Sequence, residues 1–205
     1  MSELIVNSFV TLLVVVDPLG LAPIFAALTQ GYREERRRET AIRGTILGSV
    51  ILFVFALVGD VLLDSLGITL PAFRIAGGML LFLLALDMIF ARPSGMRSRS
   101  VREQEEDDYE GDVSVFPLAI PLLAGPGAIT TVLLYTGGRS PAEVGVFAGV
   151  LLIVLFLTLL SLLLASRVMS LFGETGANVL SRVLGVLLAA LAVQFVLDGI
   201  EASLV

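Results

Sequence analysis

Six long apolar stretches, separated by charged or Gly/Pro-punctuated breaks, dominate the chain. They run over residues 4–28, 44–63, 70–91, 113–136, 144–165 and 179–200. Each is about 20 residues or slightly longer, the length a helix needs to cross the hydrocarbon of a bilayer. The breaks at 29–43, 64–69, 92–112, 137–143 and 166–178 all carry charge or Gly/Pro punctuation. This pattern predicts an all-α, polytopic membrane protein of six transmembrane helices, forming one domain over 1–205. The first stretch lacks a basic leader and continues through Asp17, Pro18 and Pro23 without a small-residue cleavage site, so it reads as a span and not as a removable signal.

Composition agrees with the pattern: 57% of residues are hydrophobic and the mean hydropathy is +0.98, too apolar for a soluble domain's surface. The absence of Cys and His excludes disulfides, thiol chemistry, histidine-ligated metals and imidazole catalysis, so an enzyme is not expected. No cofactor is implied. All basic residues are Arg, and 11 of the 13 lie in the odd-to-even breaks or, for Arg182, at the start of the span that follows: Arg33, Arg36, Arg37, Arg38, Arg43, Arg92, Arg97, Arg99, Arg102, Arg167 and Arg182. Only Arg74 and Arg139 lie on the other side, which places the arginine-rich end in the cytoplasm and both termini outside a cell membrane. The acidic run Glu103, Glu105, Glu106, Asp107, Asp108, Glu110 and Asp112 reads as a solvated linker over 92–112 between repeats at 1–91 and 113–205. Acids interrupt the basic cluster 33–38, so it signals orientation and anionic-lipid contact and does not read as a nucleic-acid site.

The two repeats follow from one register shift. Moving the chain by 108 residues superposes Pro18 on Pro126, Arg74 on Arg182, Gly77 on Gly185 and Leu80 on Leu188. Each unit holds an odd number of spans, so the units must be inverted relative to one another, a recurrent transporter design.

Within the spans, proline supplies the breaks, because it lacks an amide hydrogen and clashes with the carbonyl four residues back. Asp17-Pro18 in span one and Gly125-Pro126 in span four each have the form of an N-cap followed by a first helical proline, so each is expected to start a new half-helix near mid-span. Inverted half-helices would bring their positive N-terminal ends together at the midplane, where free amides hold an anionic group. Asp17, an acid inside a span, would meet an ammonium group, H⁺ or Na⁺; the bland reading is that it only caps the half-helix. One carboxylate and one amide cluster complement a zwitterion, so a small amino acid fits. The expected substrate-binding residues are Asp17, Pro18, Gly20, Gly125, Pro126, Gly127, Thr130 and Thr131, although Thr in a span more often bonds to its own helix. Asn7, Thr11 and Gln194 are candidate lining residues, with an interhelical hydrogen bond favoured for Gln194. Gly44 and Gly48 predict close helix contact, and Arg74 and Arg182 read as interface anchors. No metal site is expected, and the chain is compatible with a homo-oligomer.

The segments Asp17-Pro18, 74–78 (RIAGG), 116–121 (FPLAIP) with 124–129 (AGPGAI), and Ser181-Arg182 with 193–195 (VQF) closely resemble the MarC family, within the LysE-type transporter superfamily. The resemblance covers essentially the whole chain. It implies transport of small neutral amino acids, described for other members, while the superfamily also holds amino-acid exporters and metal-ion transporters. Some relatives carry Asn where this chain has Asp17, which implies that the fold does not need a carboxylate there. The expected function is therefore a secondary transporter of small neutral amino acids working by alternating access. An inorganic cation exporter and a non-transporting membrane scaffold or envelope-stress protein are the alternatives.

Overall fold

The structure is a computed structural model that describes residues 1–90 and 112–204. The predicted linker lies outside the described residues except for Asp112, and so do Arg92, Arg97, Arg99 and Arg102. The elements are α1 (Ser2–Val16), α2 (Pro18–Leu28), α3 (Glu34–Ser65), α4 (Leu70–Phe90), α5 (Ser114–Leu123), α6 (Pro126–Thr136), α7 (Pro141–Leu163) and α8 (Ala165–Leu204). Among the described residues there is no strand. Ser2–Leu28, α3, α4, α7 and Asn178–Leu204 are long and apolar enough to cross a membrane, and α5 with α6, bent by 52°, makes a sixth if the pair is counted as one span. Their outward faces carry apolar side chains such as Leu57, Val61 and Phe156, each more than 60% exposed, as lipid-facing surfaces do. This is a multi-pass integral membrane protein.

Two boundaries differ from the hydropathy reading. Helix α3 starts at Glu34, ten residues before its apolar stretch. Glu34 and Glu35 suit the positive N-terminal end, and Glu39 pairs with Arg43 at 2.7 Å one turn on. The predicted break at 166–178 is helical apart from Gly173, whose φ of 61° interrupts α8. Val168 packs against the core there, so tertiary burial carries the helix through a segment with little hydropathy.

Glycines set the central contacts. A side chain at Gly44 would strike Leu118, one at Gly59 would strike Leu133, and a Cβ at Gly48 would lie 2.9 Å from that of Leu123. The expected close approach at Gly44 and Gly48 is therefore made with α5. Both numberings rise together, so α5–α6 runs parallel to α3. The α1–α2 pair leads through 29–33 into α3, so it runs toward the arginine-rich end while α6 runs away from it. Helices α4 and α8 form the most extensive packing in the bundle. The remaining contacts include α3 on α5, α7 on α1, α3 on α6, α7 on α2, α4 on α6 and α8 on α2.

Candidate functional site

Both prolines start helices where the sequence places them. Asp17 ends α1 and caps α2, with φ 51° and ψ 65° in the left-handed region that Asp tolerates better than most side chains. The residue is 2% exposed. Oδ1 accepts from the Gly20 amide at 3.0 Å and Oδ2 from the Ser181 hydroxyl at 3.0 Å. Ser161 of α7 donates to the Pro18 carbonyl at 2.7 Å. The bare Cα of Gly20 leaves space for the Asp17 carboxylate, since a side chain there would strike it. The first break is thus tied by hydroxyls to α7 and α8.

The second break is built from α5, whose Phe116 and Ile120 are extended, as residues before proline usually are, at φ/ψ of −128°/127° and −131°/123°. The Phe116–Pro117 and Ile120–Pro121 bonds are cis. Gly125, extended at φ −78° and ψ 171°, then caps α6 without a side-chain contact. The first hydrogen bond of α6 runs from the Ile129 amide to the Gly125 carbonyl at 3.0 Å. The buried amides of Gly127 and Ala128 have no acceptor among the described residues. Gly127 and Ala128 line a cavity of about 40 Å³ together with Val15, Leu84, Pro121, Gly125 and Pro126. A Cβ on Gly127 would lie 2.8 Å from Leu84 Cδ2 and 3.6 Å from Val15 Cγ1. The two breaks are therefore neighbours, with the last turn of α1 against the first turn of α6.

They do not share one cavity. The Asp17 carboxylate turns toward Ser181 and does not line the space beside Gly125. Ser181 lies in the first turn of Asn178–Leu204, ~15 Å along the axis from that span's middle at 1.5 Å per residue. The acid thus sits toward the arginine-rich end and not at the level expected from span one alone, because hydropathy cannot fix how far a broken helix slides along its neighbours.

The remaining candidates divide. The Thr131 hydroxyl donates to the Gly127 carbonyl at 2.8 Å, so it bonds within its helix. Thr130 is buried with its methyl group against Gly77. Pro126 is exposed and lines the small cavity. Asn7 is exposed, and its carbonyl accepts from Thr11 at 2.7 Å. That commits the one hydroxyl hydrogen of Thr11, so the Tyr135 hydroxyl, 2.9 Å away, is the donor between them. Tyr135 stacks on Phe147, with centroids 5.5 Å apart, and meets Phe195 edge-on at 6.2 Å. Gln194 is exposed and donates to Asp198 at 2.6 Å one turn on, which replaces the expected interhelical bond. Ser161, Ser181 and Tyr135 were not among the sequence candidates. Their signal was a hydroxyl inside an apolar run and, for Ser181, its place in the Ser181-Arg182 motif.

The pattern of one protein family, described as "MarC family integral membrane protein", matches residues 2–204. Relatives named "UPF0056 membrane protein" come from Archaeoglobus fulgidus, 37% identical over 97% of this chain and 92% of the relative, and from Aquifex aeolicus, 36% identical over 97% and 92%. The Bacillus subtilis "UPF0056 membrane protein YvbG" is 35% identical over 98% of this chain and 96% of its own. No solved structure matches significantly. A family match spanning both broken helices, the α4–α8 packing and the 124–129 segment, with relatives above 30% identity along nearly their full lengths, means that this chain belongs to the MarC family of integral membrane proteins.

Proposed function

We propose that the protein is a secondary transporter of small neutral amino acids, working by alternating access about the two helix breaks. The carrying observation is the pair of buried Gly127 and Ala128 amides without acceptors at the start of α6. An unsatisfied amide away from water costs free energy, and a solute carboxylate at a helix N-terminus removes that cost. Asp17, Ser161 and Ser181 supply the polar groups on the opposite side, where an ammonium group or a coupling H⁺ or Na⁺ would be held. Membrane lipids and the solute are the proposed partners, with no enzymatic step.

The packing supports an inverted repeat. Exchanging the halves turns α3 on α5 into α7 on α1, α3 on α6 into α7 on α2, and α4 on α6 into α8 on α2. Each of these contacts has its mate, as a pseudo-twofold axis in the membrane plane requires. With the arginine-rich end in the cytoplasm, both termini lie outside, and the Thr11–Tyr135 contact and its aromatic stack close the outer end. A 40 Å³ space holds a few waters at most, so an amino acid does not fit beside Gly127 in this conformation.

Counterflow of labelled glycine and alanine into proteoliposomes tests the proposal. Wild type is expected to accumulate label. Gly127→Ala is expected to fold but not transport, because its methyl enters the cavity against the movable end of Leu84. A second reading, a membrane scaffold that moves nothing, is favoured by one observation: Asp17 and the free amides do not line a common space. Correctly inserted wild-type protein that accumulates no small amino acid would establish that reading over transport.

A further inference from the structure

A second cavity, of about 220 Å³, lies at the arginine-rich end between the first turn of α3 and the last turn of α7. Glu34, Arg37, Arg38, Leu162 and Leu163 line it. The arginines around it are unequally engaged. Arg36 stacks over the Tyr32 ring at 4.4 Å and Arg43 is paired with Glu39 at 2.7 Å. Arg37 makes one long contact, 3.7 Å, to a Glu34 carboxylate that is 86% exposed, the kind of surface pair that contributes little. Arg38 has no ion pair among the described residues. The start of α3 adds positive potential: Arg33 provides no side-chain cap, and the first helical bond runs from the Arg37 amide to the Arg33 carbonyl. Opposite these groups the wall is greasy, with Leu162 fully buried and Leu163 partly so.

We propose that this cavity binds an anionic phospholipid, its phosphate held by Arg37 and Arg38 and its glycerol and upper acyl carbons against Leu162 and Leu163. The planar guanidinium fork matches phosphate oxygens in pairs. Basic pockets between helices at a membrane surface are suited to such head groups. The leucine wall selects a lipid over a free anion, since a soluble phosphate has nothing to place against it. Glu34 opposes the bound phosphate and is neutralised only while Arg37 holds it, so removing its charge strengthens binding.

The test is native mass spectrometry of the purified full chain titrated with phosphatidylglycerol, phosphatidylcholine or soluble glycerol phosphate. Wild type is expected to prefer phosphatidylglycerol. Arg37→Gln with Arg38→Gln is expected to weaken it about 30-fold, while Arg36→Gln with Arg43→Gln, an equal charge loss outside the cavity, changes it less than about threefold. Glu34→Gln is expected to tighten binding. Leu163→Trp, which fills the space and keeps both arginines, is expected to weaken it, and a melting temperature near that of wild type excludes misfolding as the cause. Equal losses in the two arginine pairs, or unchanged binding in Leu163→Trp, would reduce the site to diffuse surface charge and overturn the proposal. Glycerol phosphate competing as well as the lipid would assign the cavity to a free anion instead.

Discussion

At the scale of single residues, Asp17 carries two roles that substitution can separate. Asn tolerates φ near 50° and keeps an oxygen for the Gly20 amide, so Asp17→Asn is expected to melt within about 1 kcal/mol of wild type while losing dependence on H⁺ or Na⁺ in transport. Asp17→Ala loses the cap and meets left-handed strain together, and is expected to be destabilised by about 2–3 kcal/mol in a detergent melt. Asp112, before α5, gives a pH signature outside the membrane. The Ser114 hydroxyl and amide, with Arg43 and Arg36 further off, hold its carboxyl below the ordinary 3.8. A lowered folded pKa stabilises the fold above the unfolded value, and that contribution disappears as pH falls through the folded one. Wild type is therefore expected to lose melting temperature below about pH 4 more steeply than Asp112→Asn, and parallel pH profiles would remove Asp112 from the account. The Asp17 cap was legible from two adjacent letters. Its Ser181 partner, 164 residues away, was not, because only tertiary packing defines that contact.

At the scale of helices, small residues fix how closely neighbours approach. A Cβ on Gly78 would lie 2.7 Å from the Ala192 carbonyl oxygen and 2.7 Å from Val196 Cγ2. Backbone cannot move aside cheaply, so Gly78→Ala is expected to spread α4 from α8 and cost about 1–3 kcal/mol. Gly149 has nothing within 4 Å of such an atom, and Gly149→Ala is expected to be neutral or up to about 1 kcal/mol stabilising by helix propensity. Thermal melts of the two variants in one detergent check the contrast, and equal effects would contradict it. The apolar spans and the two helix starts at Pro18 and Pro126 were readable because ~20-residue apolar runs and Asp-Pro or Gly-Pro pairs are local signals. The continuation of α8 through 165–172 was not, since it depends on Val168 reaching the core.

At the scale of the whole molecule, the proposed transport requires the two breaks to meet at a place that water and solute reach from one side at a time. The 108-residue offset aligned the two breaks in sequence, but their relative depth is set by how α1–α2 lies against α7 and α8, which no hydropathy window encodes. Because the chain has no native cysteine, a single Ala128→Cys reports on that place without background. Tyr135→Phe removes the hydrogen bond to Thr11 at the arginine-poor end. At about 1 kcal/mol for the bond, it is expected to raise maleimide labelling of Ala128→Cys from that end about fivefold. The most direct measurement is the labelling of Ala128→Cys itself by a membrane-impermeant maleimide, applied separately to each face of oriented vesicles, with and without glycine or alanine. The expected result is slow labelling from both faces, slowed further by the amino acid. A cysteine that stays unreactive from both faces in folded protein would mean that no pathway reaches the start of α6, and transport through it would be wrong.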